Sequence, residues 1–270
     1  MHRVNAEAVL PMPRIALTIA GSDPSGGAGI QADLKTFHQH QVYGMAVLSL
    51  LTVQSTQGVT AVETMKPELV DAQLQHLLAD LVPHAAKTGA LGNAAIVEVV
   101  AARLKGSLFP LVVDPVMISK HGHALIDASA RAALISRLLP VTFLVTPNTH
   151  EAEVLGGVPV KTLIEAREAA KRIAALGPQA VLIKGGHLEG APVDVLFHRG
   201  SFTEFKAERV QTKNTHGTGC TLSAAITARL AMGQPIDVAI DLAKQWLTRA
   251  LETAPDIGHG IGPVNHLQPI

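Results

Sequence analysis

Cysteine is nearly absent from this sequence, with Cys220 the only one in 270 residues. A single cysteine excludes an internal disulfide bond and a thiolate metal cluster, and such usage is typical of reducing compartments. Long apolar runs are also lacking, so no membrane-spanning helix is predicted. Lysine and arginine number 22, equal to aspartate and glutamate, without a basic run. This balance argues against nucleic acid and membrane surfaces as partners, and we expect a cytoplasmic protein that binds small molecules.

The first 13 residues differ from the rest of the chain. Their apolar stretch is too short for a secretory signal and is broken by Pro11 and Pro13. We expect a loose leader over residues 1–13 and one domain over residues 14–270, since a hydrophobic content of 47% suffices for one large core. The thirteen histidines are scattered without a metal-ligand spacing such as HExxH, so no histidine metal site is predicted.

Apolar strands alternate with helices along the chain. Ile15–Ala20 (IALTIA) is followed by the loop GSDPSGGAG and then by a helical pattern with Ile30, Leu34 and Phe37 on one face. Further strands are predicted at 45–53, 85–91, 110–116, 142–147 and 180–186, each followed by a helix except the last, which precedes a hairpin around HRGSF and two helices. This order is typical of an α/β protein whose mostly parallel sheet is covered on both faces.

The sole cysteine lies in the turn NTHGTGCTLSAAI, residues 214–226. Gly217 and Gly219 permit close backbone approach there, and apolar residues at every fourth position predict that a helix begins in this turn. A helix N-terminus presents unpaired N–H groups and partial positive charge, which suit a phosphate and lower the pKa of a thiol. An anion-binding catalytic turn is one interpretation, and a plain helix cap with a buried cysteine is the other.

Polar residues follow several predicted strands, and parallel sheets bind ligands at the carboxyl ends of their strands. The residues at these ends are Gly21, Ser22, Asp23, Gln54, Asp114, Asn148, Glu151, Lys184, Gly185, Gly186 and the turn 215–220. A lysine and an anion turn can neutralise phosphate while carboxylates hold Mg²⁺, a combination used in phosphoryl transfer. Asp114 could instead shape a turn before Pro115, and Lys184 could be a solvated loop end. The GxxxxGK[ST] and GxGxxG spacings are absent, which disfavours P-loop kinases and Rossmann dehydrogenases.

Five segments together resemble the hydroxymethylpyrimidine/phosphomethylpyrimidine kinases of thiamine biosynthesis, in the ribokinase-like superfamily. They are LTIAGSDPSGGAGIQADLKTF, VVDPVM, TPNTHEAEVL, VLIKGGH and TKNTHGTGCTLSAAI. The resemblance implies a three-layer α/β/α sandwich and a homodimer. It also implies ATP-dependent, Mg²⁺-dependent phosphorylation of 4-amino-5-hydroxymethyl-2-methylpyrimidine on its hydroxymethyl group, and then of the monophosphate to the diphosphate.

The resemblance assigns roles to individual residues. It implies an anion hole for the transferring phosphoryl group at Gly217, Thr218 and Gly219, with Cys220 facing the accepting hydroxyl. The implied ATP contacts are Asn148, Lys184, Thr212 and Thr215, and the implied Mg²⁺ ligands are Asp114 and Glu151. The implied pyrimidine contacts are Gly21, Asp33, Gln54 and Val116.

Two of these positions leave alternatives open. Relatives have glutamate or glutamine at the position of Gln54, and an amide offers the substrate no full charge, which puts the substrate range in doubt. Asp33 could also be a solvated residue on its helix.

A pyridoxal or pyridoxine kinase and a non-catalytic sensor of pyrimidine or nucleotide remain alternative functions. The segment Ser119–Ala124 (SKHGHA) has the composition of a mobile lid or of an ordinary surface loop.

Overall fold

A computed structural model of the chain describes residues 12–117, 126–186 and 192–270. The predicted leader falls almost entirely outside these residues, and the predicted lid at 119–124 falls wholly outside them. Nine strands are present in the described residues: β1 Ile15–Ser22, β2 Tyr43–Ser55, β3 Gly58–Thr64, β4 Ala85–Thr88, β5 Leu111–Val113, β6 Leu144–Val145, β7 Ala180–Ile183, β8 Val193–His198 and β9 Ser201–Lys206.

Eight α-helices lie between and after these strands in the described ranges. They are α1 Gly29–Gln39, α2 Pro67–Asp80, α3 Ala94–Leu104, α4 Ala128–Ala133, α5 Thr149–Gly156, α6 Leu163–Ala174, α7 Thr218–Ala231 and α8 Ile236–Glu252. Helix α4 continues into a π-helical turn at Leu134–Leu138 and a 3-10 turn at Leu139–Val141. In the described ranges, no helix has the length and apolarity needed to cross a membrane.

The strands form one mixed sheet in the order β3-β2-β1-β4-β5-β6-β7-β8-β9. Strands β2, β1, β4, β5, β6 and β7 are parallel to their neighbours, and β3, β8 and β9 join in antiparallel pairs. The prediction of a mostly parallel α/β sheet is therefore confirmed. Because the parallel strands point the same way, their carboxyl ends form one edge, and the loops that follow them meet there.

Helices cover both faces of the sheet, which makes the three-layer sandwich. One core joins side chains of α2 to α6 to one face, including Leu17 and Val113, and the other joins α1, α7 and α8 to the opposite face. Trp246 of α8 and Phe37 of α1 are fully buried in this second core. Replacing either aromatic side chain by alanine would cost about 3–5 kcal/mol of stability.

Strand β3 is the element that the sequence analysis did not predict. Its residues Gly58–Thr64 pair antiparallel with the end of β2, and a turn at Thr56 and Gln57 joins the two strands. None of its residues is buried, so the apolar run that marked the other strands is missing. Strand β2 is also two residues longer at each end than predicted, since its last part is held by β3.

His40, at the end of α1, is a titratable residue buried against the second core. Its ring is fully buried against the Trp246 ring, with centroids 4.8 Å apart, and its Nδ1 lies 2.9 Å from the Thr36 carbonyl oxygen. Burial, with help from the charge of Arg229, lowers the pKa of His40 to about 4. The folded protein therefore holds this histidine neutral, whereas the unfolded chain protonates it near pH 6.5.

We expect acid to destabilise the fold through His40. Because the unfolded state binds the proton first, stability falls as the pH drops from about 6.5 towards 4, and by pH 5 this histidine costs about 2 kcal/mol. His40→Gln removes the titration, so urea unfolding should show a smaller loss between pH 7.5 and pH 5 in this variant than in the wild type. The matched control is His76→Gln at an exposed position on α2, and equal pH dependence in wild type and His40→Gln would contradict the assignment.

Candidate active site

A cavity of about 840 Å³ lies at the carboxyl edge of the parallel strands. Strand ends, the segment 207–212 and the first turn of α7 line it, together with the side of α8. Nearly all residues predicted for the site line this cavity: Gly21, Gln54, Asp114, Val116, Asn148, Glu151, Lys184, Thr212, Thr215, Gly217, Thr218, Gly219 and Cys220. The loops therefore gather these predicted residues around one cavity, as expected for parallel strands.

The turn before α7 is held by close contact with the glycine loop that follows β1. Gly217 has φ of 76° and precedes the first helical residue, Thr218. A Cβ at Gly217 would collide with the Gly27 carbonyl oxygen, so any side chain there would force the two loops apart. The first turn of α7 lines the cavity, where a helix N-terminus favours an anion.

Asp23 and His216 fasten these two loops to each other. The Asp23 carboxylate accepts hydrogen bonds from the Ser25 and Ala28 backbone N–H groups, both at 2.9 Å, and lies 2.7 Å from His216 Nε2. Although burial opposes it, the hydrogen bonds of His216 and Ser25 hold the pKa of Asp23 below its usual value. Asp23 is thus a buried anion that organises the loop 23–28 and anchors the residue immediately before Gly217. The sequence analysis placed Asp23 at this edge but assigned no role to His216.

Lys184 and Asp114 form an ion pair beneath the anion turn. Lys184 Nζ lies 2.9 Å from Asp114 Oδ1, and the lysine side chain is 15% exposed. A Cβ added to Gly219 would lie 3.3 Å from Lys184 Nζ and 3.5 Å from Asp114 Oδ2, so both charged groups face this glycine. Burial lowers the pKa of Lys184, but Asp114 and Glu151 outweigh it and raise that pKa, which keeps the ammonium charged. A phosphate at the turn would therefore meet a permanent cation.

Glu151 and Asn148 form a capping box at the start of α5. Asn148 Oδ1 accepts the Glu151 N–H at 2.9 Å, and Glu151 Oε2 accepts the Asn148 N–H at 2.8 Å. Glu151 is buried, and burial together with the charge of Asp114 raises its pKa to about 7 against the opposing effect of Lys184. Asp114 and Glu151 thus place two carboxyl groups near Lys184 at the cavity. The described residues contain no cluster of three or more potential metal ligands.

Gln54, Gly21 and Val116 line the cavity near the ends of β1, β2 and β5. The Gln54 side-chain amide lies 3.3 Å from His216 Nε2, and Thr52 Oγ1 donates to Gln54 Oε1 at 3.1 Å. A Cβ at Gly21 would collide with the Leu50 side chain, so glycine lets the backbone approach β2. The predicted pyrimidine contacts other than Asp33 therefore line the same cavity, and their contact with a pyrimidine stays a prediction.

Asp33 is the exception among the predicted pyrimidine contacts. Its side chain is fully buried, does not line the cavity, and accepts hydrogen bonds from Lys87 Nζ and Thr18 Oγ1, both at 2.6 Å. The predicted direct contact with the pyrimidine is wrong for this structure, because the carboxylate lies between α1 and the sheet. The alternative of a solvated helix residue is equally wrong, since Asp33 lies on the inner side of α1.

Cys220 lies in the first turn of α7 and lines the cavity, as predicted. Its pKa is not lowered, however. Burial, with the charges of Asp33 and Asp114, raises the pKa of the thiol to about 11 against the opposing effect of Lys87. The predicted acidic thiol is therefore wrong, because the cost of desolvating a thiolate exceeds what the helix N-terminus offers.

Thr212 and Thr215, predicted to contact ATP, lie in the segment that leads into the anion turn. The Thr212 hydroxyl accepts the Asn214 N–H at 3.1 Å, and the Thr215 carbonyl accepts the Thr218 hydroxyl at 2.7 Å. Both threonines shape the turn from inside while they line the cavity. Their contact with a nucleotide remains a prediction.

A second ion pair, which the sequence analysis did not identify, also lines the cavity. Lys244 Nζ of α8 lies 2.7 Å from Asp194 Oδ2 of β8, and Asp194 Oδ1 accepts the Gly185 N–H at 2.8 Å. The sequence signal was present, since a single aspartate interrupts the apolar run VDVLF and a single lysine occurs on the buried side of α8.

The fold and the arrangement of the site are those of a phosphotransferase whose sequence lacks the P-loop pattern. The sequence profile of the phosphomethylpyrimidine kinase family matches residues 23–265. The chain belongs to this family.

Relatives and solved structures agree with this family. A hydroxymethylpyrimidine/phosphomethylpyrimidine kinase of Synechococcus elongatus is 47% identical over 258 residues, which cover 95% of this chain and 98% of the relative. The crystal structure of a phosphomethylpyrimidine kinase of Clostridium difficile is 42% identical, with a TM-score of 0.80 over 88% of this chain and 99% of the other. An ADP complex of Bacillus subtilis pyridoxal kinase is 38% identical, with a TM-score of 0.87 over 95% of this chain and 98% of the other.

Alkylation of Cys220 tests the state of the thiol, since the chain contains no other cysteine. With a pKa near 11 against the ordinary value of 9.0, the thiolate fraction at pH 7.5 is about 100-fold below that of a free thiol. We expect iodoacetamide to react at least that much more slowly with the native protein than with the same chain in urea. The native rate should still be rising at pH 10, and a plateau below pH 9 would show that the thiol is acidic after all.

Proposed function

We propose that the protein phosphorylates the hydroxymethyl group of 4-amino-5-hydroxymethyl-2-methylpyrimidine with ATP, and then phosphorylates the monophosphate to the diphosphate. The observation that carries this proposal is the juxtaposition of the α7 turn, Lys184 and Asp114 on one cavity. A binding protein for a neutral ring would not require a phosphate site. The relatives' names support the pyrimidine as acceptor and thiamine biosynthesis as the pathway. We propose the cytoplasm as its location.

In the proposed reaction, the acceptor oxygen attacks the γ-phosphorus of ATP and the bond between that phosphorus and the bridging oxygen of ADP breaks. The N–H groups at Gly217 to Gly219 and the Lys184 ammonium stabilise the oxygens of the transferring group. Loose phosphoryl transfer demands little from a base. Because the pKa of Cys220 is raised to about 11, we infer that its thiol positions the hydroxyl and does not remove its proton, which passes to an oxygen of the transferring phosphoryl group.

Magnesium fits the carboxyl groups of Asp114 and Glu151. Mg²⁺ prefers oxygen ligands and keeps several waters, so two carboxylates and the phosphates suffice to hold it. When bound, the ion would neutralise charge on the phosphate oxygens. Glu151 has to be deprotonated to serve as a ligand, and its raised pKa of about 7 allows that at neutral and higher pH.

Pyridoxal is the second candidate acceptor. The likeness to the Bacillus subtilis pyridoxal kinase covers nearly the whole of both chains, and Gln54 at the pyrimidine end offers an amide rather than a charge to a ring nitrogen. An amide can donate to and accept from either ring, so it does not itself select between them.

Release of ADP tests the function directly. Purified protein with Mg-ATP is assayed with hydroxymethylpyrimidine, its monophosphate and pyridoxal at equal concentration, and we expect kcat/KM for both pyrimidines to exceed that for pyridoxal at least 10-fold. Preference for pyridoxal would contradict the proposal, and no turnover with any acceptor would indicate a non-catalytic sensor.

In the same assay Cys220→Ala should lower kcat at least 10-fold while KM for ATP stays within about 2-fold, since the thiol faces the acceptor.

We propose further that the protein forms a homodimer through the outer face of β2 and β3. Leu51 and Val53 are 44% and 62% exposed there, and they pair across the strands with Glu63 and Ala61. Three apolar side chains in register on an exposed edge hairpin are costly in a monomer and suit a second copy of the same surface. Strand β3 packs no side chain into either core, which also fits a role outside the monomer.

The dimer proposal predicts that Val53→Asp lowers the mass of the particle. A charge buried at the centre of a symmetric interface meets its own copy, so light scattering after gel filtration should give the mass of two chains for the wild type and of one for the variant. Leu108→Asp is the matched control, because Leu108 is fully exposed in the loop after α3. A wild-type mass of 28.3 kDa would exclude the dimer.

A further inference from the structure

Lys87 is a buried cation that the reaction described above does not use. It lies in β4 directly beside Thr18 of β1, and its side chain points to the face covered by α1 and α7. The exposed fraction of its side chain is 0%, as is that of its partner Asp33. A lysine inside a strand of alanines and threonine is unusual enough to need a reason.

Two elements, α1 and α7, supply the partners of Lys87. Its Nζ lies 2.6 Å from Asp33 Oδ1 of α1 and 3.3 Å from the carbonyl oxygen of Cys220 in α7. The second oxygen of Asp33 accepts the Thr18 hydroxyl at 2.6 Å. Burial lowers the pKa of Lys87, but Asp33, Cys220 and Asp114 together outweigh this effect and raise it, so the ammonium is charged. The cluster Thr18, Asp33 and Lys87 is therefore an ion pair completed by a hydroxyl, which we call the buried cluster.

Stability does not explain the buried cluster. Removing two charges from water costs several kcal/mol per ion, and well-packed apolar residues of similar volume are often as stable or more stable. The surrounding core of Ala16, Phe37, Ala85 and Trp246 would accept such residues. The position of this buried ion pair is explained better by the second group that the Lys87 ammonium contacts.

That contact is the first turn of α7. The Cys220 carbonyl accepts from Lys87 Nζ and also from the Ser223 hydroxyl at 3.0 Å, so side chains hold it from two directions. The same turn presents Gly219 to Lys184 and the Cys220 thiol to the cavity. A shift of this carbonyl would move the thiol and the N–H groups that face the phosphoryl group. The ammonium also adds positive charge behind the helix N-terminus.

We propose that Lys87, held by Asp33, is a positioning residue for phosphoryl transfer that fixes the first turn of α7 through the Cys220 carbonyl. This inference rests on the proposed kinase function. Lys87 is fully buried and does not line the cavity, so we expect its effect to concern the transition state and not the affinity for ATP or for the acceptor. A misplacement of the anion turn by a fraction of an ångström is enough to lower kcat.

The test compares Lys87→Met with a triple variant in which Thr18→Val, Asp33→Leu and Lys87→Met replace the whole buried cluster by apolar side chains. We expect both variants to lose at least 10-fold in kcat for the pyrimidine, with KM for ATP and for the pyrimidine within about 2-fold of the wild type. The triple variant should unfold at a urea concentration no lower than that of Lys87→Met, since it leaves no unpaired buried charge.

Hydrogen–deuterium exchange gives a readout that needs no substrate. In both variants the peptide 214–226 should exchange faster than in the wild type, while the peptide 163–174 of α6 should not change. Arg103→Met, which removes the exposed ion pair of Arg103 with Asp71, is the control and should match the wild type in kcat and in both peptides. Wild-type kcat in the stably folded triple variant, or faster exchange spread equally over both peptides, would overturn the proposal.

The two proposals fail in different ways. If the wild type turns over neither pyrimidine, the kinase function is wrong, yet localised exchange at 214–226 would still show that Lys87 holds the turn. If the wild type is active and the triple variant is equally active, the positioning role alone is wrong.

Discussion

The contact between two glycine loops sets the geometry of the whole site. Gly217 approaches the Gly27 carbonyl so closely that no side chain fits between them, and the hydrogen bond between Asp23 and His216 fastens the same two loops. One loop follows β1, and the other begins α7, which is 190 residues further along the chain. The position of the first turn of α7 in the cavity depends on this contact, and a helix N-terminus placed there favours an anion.

Three lysines at or below the cavity each form an ion pair with an aspartate. Lys184 pairs with Asp114 and Lys244 with Asp194 at the cavity, and Lys87 pairs with Asp33 below the turn. Since an unpaired buried charge is costly, each pair lets the fold place a cation near a phosphate site without destabilising the protein. The pairs differ in exposure, and only the first two line the cavity.

Much of this arrangement could be predicted from the sequence, for a physical reason. Parallel strands that are buried on both faces are continuous apolar runs, so their ends are visible and the polar residues that follow them lie on one edge. Strand β3 could not be predicted from the sequence, because an exposed edge strand has no continuous apolar run. The burial of Asp33 and the raised pKa of Cys220 cannot be predicted from local spacing. Both depend on packing between elements that are distant in the sequence, such as α7 against β1 and β4. Lys87 shows the same dependence, as its partners lie on α1 and α7.

The ion pair of Lys184 with Asp114 also bears on how a charged ligand would be held. Lys184 already has an anionic partner, so a phosphate would gain its full attraction only if Asp114 were compensated in turn. We propose that a ligand with both a polyphosphate and a divalent cation would satisfy both groups, since Lys184 would contact a phosphate oxygen while Asp114 and Glu151 would hold the metal ion. Burial raises the pKa of Glu151 to about 7, so this carboxyl group can supply a second negative charge at neutral and higher pH. A metal-free nucleotide would leave Asp114 facing phosphate without compensation, and we therefore expect the site to prefer the metal complex over the free nucleotide because of the pairing of its own charges.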